Sequence, residues 1–138
     1  MQTPMLFVVA ALALCAGGCA ATKTESKPAG PVALSPQGWV RHVVLFKFKD
    51  DAKPEDVKKI EAAFAALPRQ IAVIQAFEWG TNISPEGLND GLTHAFFVTF
   101  ASEADRDAYI KHPAHKAFVE LLKPSLEKAT VVDYFAKY

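Results

Sequence analysis

The stretch from Val40 to Phe48 constrains the fold more than any other, because it alternates side to side and leaves little that is polar on either face. As a strand it puts His42, Val44, Phe46 and Phe48 on one side, and Val43, Leu45, Lys47 and Lys49 on the other. The first side reads as buried throughout. The second is apolar early and charged only at its end, so a single covering layer does not satisfy this strand.

The rest of the chain supplies the other elements. Asp50-Asp51-Ala52-Lys53-Pro54 breaks the strand and opens a helix in which Val57, Ile60, Phe64 and Leu67 recur at helical spacing, and Pro68 is expected to stop it. A second strand is expected from about Val73 to Thr81, then a turn-rich connection from Asn82 to Gly91. Thr93 to Phe100 reads as a third strand, with His94, Phe96, Val98 and Phe100 sharing a face. Ser102-Glu103-Ala104-Asp105 opens the next helix in nearly capping-box form. Within Tyr109-Ile110-Lys111-His112-Pro113-Ala114-His115, the residue before proline is pushed out of the helical region, while proline suits a first helical position. One helix therefore ends near Lys111 and another starts at Pro113, carrying His115, Phe118 and Leu122 on one stripe until Pro124 closes it. The last strand, Thr130 to Phe135, sets Val131, Asp133 and Phe135 against Val132 and Tyr134.

The order strand–helix–strand–strand–helix–strand is the ferredoxin-like β-α-β-β-α-β arrangement of an α+β protein, with an antiparallel four-stranded sheet and helices on one face. The other face carries Val43, Leu45, Phe97 and Val132, too apolar to be left in water. It calls for a second sheet, most simply from another copy of the chain, giving a homodimer in the form of a dimeric α+β barrel.

Charge narrows the partners. Lys+Arg and Asp+Glu are both 15 and the net charge is zero, which excludes the basic surface of a nucleic-acid binder and a polybasic membrane helix. Both cysteines, Cys15 and Cys19, precede the folded body, so it holds no disulfide framework, cysteine metal site or cysteine nucleophile. Leu6 to Leu14 is an apolar run too short to span a bilayer, and the small residues Ala16-Gly17-Gly18-Cys19-Ala20 come after it in the layout of a secretory signal. The segment also resembles a bacterial lipoprotein signal, with Cys19 as the lipidated first residue. Met1 to Met5 has no Lys or Arg, and Ala16 stands where such signals prefer Leu, so ordinary cleavage after Ala20 or Ala21 is the rival route. The expected organisation is a signal peptide at 1–18, a flexible tether at 19–38 and a folded domain at 39–138. The expected location is exported, periplasmic or in the cell envelope. Membrane contact would come only through a lipid anchor at Cys19, which needs at least two acyl chains to hold.

His42-Val43-Val44-Leu45-Phe46-Lys47-Phe48-Lys49, Phe77-Glu78-Trp79-Gly80, Thr93-His94, Tyr109 through His115 and Val132-Asp133-Tyr134 together resemble the stress-responsive A/B barrel (Dabb) family over about residues 39–138. The resemblance implies a dimeric α+β barrel and no single activity. One plant branch of the family cyclises a linear polyketide by intramolecular aldol condensation. Carried over from it, the catalytic histidine falls on His115, its tyrosine partner on Tyr109, the acidic residue that orients the base on Asp133, and a pocket-lining histidine on His42.

The topology makes such a site coherent. The first and last strands are antiparallel neighbours, so His42 lies near Asp133 and the His115 helix packs over the same face. A carboxylate on one ring nitrogen fixes the tautomer and leaves the other nitrogen to take a proton from a C–H beside a carbonyl. Tyr109 is placed to hydrogen-bond the oxygen as enolate charge develops. The same His115–Asp133 pair also reads as a satisfied core contact. The expected walls are Val44, Phe46, Ile60, Phe64, Phe96, Phe118, Leu122 and Val131, and the bulk of Phe46 and Phe96 favours a small apolar ligand over a polyketide. His94 is expected at the far end of the sheet, as a structural residue or the pocket's other end. His112 precedes proline and shares no helix face with His115, so no metal site and no cofactor are expected. The reading is an exported dimeric barrel binding a small apolar molecule. The alternative is an enzyme of the cyclase or lyase type using His115, Tyr109 and Asp133, and a third is a stress-related structural protein with a filled barrel.

Overall fold

A computed structural model of the protein describes residues 37–137. The signal peptide, Cys19 and nearly all of the tether lie outside the described residues. The elements run β1 (Val40–Phe48), α1 (Pro54–Gln70), β2 (Ile74–Thr81), β3 (His94–Phe100), α2 (Glu103–Lys111), α3 (Pro113–Leu122) and β4 (Leu126–Phe135). The four strands form one antiparallel sheet in the order β2-β3-β1-β4, with all three helices on one face, which is the ferredoxin-like α+β fold. No helix among the described residues is long and apolar enough to cross a membrane.

β1 is central, paired with β3 on one side and β4 on the other, so both of its backbone edges are satisfied. Its inward residues Val40, His42, Val44 and Phe46 are buried, as the alternation requires. α1 begins with Pro54 in its first turn, where the missing N–H matters least, and Glu55 and Asp56 there favour the positive end of the helix dipole. Ile60, Phe64 and Leu67 form its buried stripe.

Pro68 does not stop this helix, contrary to expectation, and α1 continues to Gln70. A proline so close to the end removes a hydrogen bond only in the last turn, and the Ile71 N–H still closes onto the Leu67 carbonyl at 2.9 Å. β4 also begins earlier than expected, at Leu126 in place of Thr130. Its first half is an edge segment of mixed polarity, held by pairing with β1 and by Lys47 donating to Glu127 at 2.7 Å, and neither contact leaves a hydrophobic alternation to read. In the β2–β3 connection Gly91 adopts φ 72°, and a Cβ there would lie 2.8 Å from Lys47 Cε. The positive φ favours glycine, and a larger residue would also have to displace the flexible end of the Lys47 side chain.

The core is largely aromatic at one end. The Phe64 ring stacks on Phe96 with centroids 4.3 Å apart and packs against Phe118 at 4.6 Å and Phe77 at 5.4 Å. This cluster pins α1 and α3 to the sheet. Replacing Phe64 by Ala should cost about 3–5 kcal/mol in urea unfolding. Ile83→Ser, at a side chain 92% exposed, should stay within about 0.5 kcal/mol, and equal losses at the two positions would contradict this account of the core.

Candidate active site

The β1–β4 register sets His42 directly opposite Asp133, so both side chains leave the sheet on its helix-covered face. His42 Nδ1–H donates to Asp133 Oδ1 at 2.6 Å. The carboxylate has only acceptors to offer, so this contact puts the ring hydrogen on Nδ1 and leaves the Nε2 lone pair free. Asp133 Oδ2 accepts from Arg106 Nη1 at 2.5 Å. Partial burial pushes the Asp133 carboxyl up, but the hydrogen bonds from His42 and Arg106 outweigh it and hold the group below the ordinary 3.8.

The break at Pro113 builds the other half of the site. Proline has no N–H for the Tyr109 carbonyl, which accepts from the His112 N–H at 3.0 Å instead. The Ala114 N–H, which would otherwise continue the helix onto Ile110, goes to His112 Nδ1 at 3.1 Å. That leaves the Ile110 carbonyl for His115, whose Nδ1–H donates to it at 3.2 Å. His115 is thus oriented by a backbone carbonyl freed by the break, with its own Nε2 left as an acceptor. Burial pushes its imidazole below the ordinary 6.5 and nearby His42 adds to this, against the opposing pull of the Ile110 carbonyl.

Tyr109 lies between the two histidines. Its ring centroid is 4.4 Å from that of His115, 5.7 Å from His42 and 5.1 Å from Phe100, and the residue is 1% exposed. Burial pushes the phenol well above its ordinary value, so it stays protonated. Its hydroxyl has no hydrogen-bond partner among the described residues.

His42, Tyr109 and His115 share one cavity of about 350 Å³, walled by Val44, Phe46, Phe64, Phe118, Leu122 and Val131. Two expectations need correction. Asp133 does not orient His115; it orients His42, because cross-strand register brings those two together while Ile110 has already claimed His115. Phe96 is not a wall but lies fully buried behind Phe64, and Ile60 is likewise core. His94 takes the structural one of its two expected roles and lines no part of this cavity. Its Nε2 meets Glu61 Oε1 at 3.0 Å and its Nδ1 meets Thr93 Oγ1 at 2.8 Å, tying α1 to the start of β3. His112 serves as the cap of α3, and no group of three or more metal-ligating side chains is found among the described residues. Sequence reasoning missed Arg106. Its signal was helical spacing, since it precedes Tyr109 by three positions and so faces the same side of α2.

Residues 40–136 match the family model described as the Stress responsive A/B Barrel Domain. A stress-response A/B barrel domain-containing protein of Arabidopsis thaliana is 41% identical over 71% of this chain and 90% of its own length. Olivetolic acid cyclase of Cannabis sativa is 30% identical over 69% of this chain and 94% of its own. Among solved structures, hydroxynitrile lyase from Passiflora edulis matches with a TM-score of 0.69 and 30% identity, over 74% of this chain and 96% of that one. A dimeric protein of unknown function and ferredoxin-like fold from Bacteroides fragilis matches with a TM-score of 0.61 and 34% identity, over 72% and 98%.

The two shifted groups give the fold a distinctive acid response. A histidine whose folded value is depressed adds stability that is present above its unfolded value and is lost as pH falls through the folded one. Urea unfolding across a pH series should therefore show stability declining from about pH 6.5, and His115→Gln should flatten that part of the slope. The depressed carboxyl of Asp133 acts only in a lower window, from about pH 3.8 downward, where Asp133→Asn should do the flattening. A decline from pH 6.5 that survives His115→Gln would assign it to another group.

Proposed function

The chain belongs to the stress responsive A/B barrel domain family, and on that footing we propose that it is a dimeric barrel holding a small, largely apolar molecule with one carbonyl or hydroxyl group in the Tyr109 cavity. One observation carries this reading: a buried phenol with no partner among the described residues opens into a greasy chamber between two imidazoles. The hydroxyl is not among the buried side-chain atoms left without a partner, so it is reachable from the chamber. An occupant with a matching polar atom would take the place of water there, at a net worth of about 0.5–1.5 kcal/mol. At about 350 Å³ the chamber is at the small end of ligand pockets, so it favours a compact molecule over a long polyketide chain.

The second reading, proton transfer on that molecule, is favoured by the carboxylate behind His42. The ring has its Nε2 lone pair available, and Asp133 stabilises the imidazolium that forms when a proton arrives. In the proposed step Nε2 takes a hydrogen from the carbon beside a carbonyl while the Tyr109 hydroxyl donates to the carbonyl oxygen as charge develops there. This keeps the tyrosine expected from the family and moves the base from His115 to His42. The relatives named as a cyclase and a lyase support it.

A dimer interface and a lipid anchor complete this reading. The outer sheet face carries Val43, Leu45, Phe97, Val132 and Tyr134, with Val132 52% and Tyr134 46% exposed. A second copy is the natural cover, and the Bacteroides fragilis neighbour is dimeric. Export with lipid attachment at Cys19 rests on the apolar run before it.

Acetophenone is a suitable probe, with ethylbenzene as its carbonyl-free isostere. Acetophenone should perturb the NMR signals of His42, Tyr109 and His115, and Tyr109→Phe should erase roughly a fivefold preference over ethylbenzene, the worth of one hydrogen bond. No perturbation would remove the ligand reading. In D2O the wild type should speed exchange of the acetophenone methyl hydrogens and His42→Gln should not; equal rates would retire proton transfer. Val132→Lys should convert a dimer to a monomer in sedimentation experiments. In a bacterial host, Cys19→Ser should abolish palmitate labelling of the full chain, whereas labelling that persists would exclude Cys19 as the anchor.

A further inference from the structure

The two oxygens of Asp133 answer to different elements. Oδ1 faces inward to His42 on β1, and Oδ2 faces Arg106 on α2. Arg106 touches no part of the cavity. It sits behind the carboxylate in a small dent of about 80 Å³ that it shares with Glu103 and Tyr134. The guanidinium is itself held in place: Nε donates to Asp107 at 2.8 Å and Nη2 lies 3.9 Å from Glu103. Its side chain is 19% exposed, less than that of the carboxylate it holds at 28%.

These contacts decide what Asp133 can do. An aspartate carboxylate turns about a broad, soft torsion, so with one neighbour it presents either oxygen in several orientations. With a charge-assisted bond on each oxygen, turning breaks both. The arginine always carries its charge, so it also keeps Asp133 ionised and acceptor-only, and the hydrogen between carboxylate and ring stays on His42 Nδ1. The other ring neighbours of His42 are the aromatic edges of Tyr109 and Phe100, which offer no comparable hold on its tautomer.

We propose that Arg106 is a positioning residue of the cavity site, locking Asp133 from behind so that His42 meets the cavity only as the Nδ1–H tautomer with its Nε2 lone pair forward. The purpose of the lock rests on the ligand reading above, but its existence does not.

The test is the ring-nitrogen spectrum of His42 in the 15N-labelled full-length chain at about pH 8, where imidazoles are ordinarily neutral. Wild type should show a single Nδ1–H tautomer. Arg106→Met should draw the two ring-nitrogen resonances toward each other as the second tautomer appears, with the circular dichroism spectrum unchanged. Arg106→Lys keeps the charge but loses the planar fork that reaches Asp133 and Asp107 from separate nitrogens, and should show a smaller movement in the same direction. Asp133→Asn calibrates the fully unlocked ring. A His42 pattern that stays at the wild-type position in Arg106→Met overturns the proposal, and if that variant does not fold, an unmoved pattern in Arg106→Lys overturns it. Acetophenone binding is scored separately. If wild type fails to bind it, the ligand reading falls while the tautomer result stands; normal binding with an unmoved tautomer retires Arg106 alone.

Discussion

The site depends on one register. β1 and β4 pair so that His42 faces Asp133, and a slip of a single residue would turn one of them to the outer face and part the two. The register is held by features that have nothing to do with chemistry. Val40, Val44 and Phe46 are buried on the same face as His42, so a shifted β1 would put apolar side chains into water. The irregularity between Lys47 and Phe48 absorbs one step of mismatch at the far end, away from the dyad. A polar pair of this kind is specified by the hydrophobic pattern around it.

The helix break works on the same logic in a different material. Pro113 removes one donor, and the resulting rearrangement leaves one backbone acceptor for each donor: the Tyr109 carbonyl to the His112 N–H, the Ile110 carbonyl to the His115 ring. Satisfying the backbone and aiming the imidazole are the same event. The break also ends α2 with Tyr109 packed inward, against the rings of both His115 and His42. The two halves of the site, sheet pair and helix corner, meet at the cavity and are also tied behind it, where Arg106 of α2 holds Asp133 of β4.

Much of this is legible in the chain, and what is not has identifiable causes. Alternation in Val40–Phe48 and around Asp133 places His42 and Asp133 on one face, and the antiparallel adjacency of first and last strands brings them together. The family resemblance supplies residue types but not pairings, and so it matches Asp133 to His115. Which acceptor a histidine takes depends on a carbonyl freed by the local backbone, and no side-chain pattern records that. Phe96 escapes for a related reason: period two assigns a face but not a depth, and the stacking on Phe64 puts Phe96 behind the wall. Pro68 and the early start of β4 are cases of tertiary pairing overriding a local signal, through the buried Leu67 in one and the β1 ladder in the other.

The core itself explains why a cavity survives beside it. Phe46, Phe64, Phe77, Phe96 and Phe118 fill the space under α1 with flat rings at close spacing. Toward α2 the inward residues of β1 change from Phe46 to Val44 to His42, and the volume under the helices is no longer filled. Close packing is the rule in protein interiors, and a half-open hollow of this size gives up protein contacts along its lining in exchange for water or a ligand. Here the missing contacts coincide with a tyrosine hydroxyl that has no described partner and two imidazoles with open acceptors. Natural sequences break local packing rules mainly at sites of function. Val44, between Phe46 and His42 on β1, is the smallest of the inward side chains that border the hollow on that strand, so the space follows in part from residue choice there.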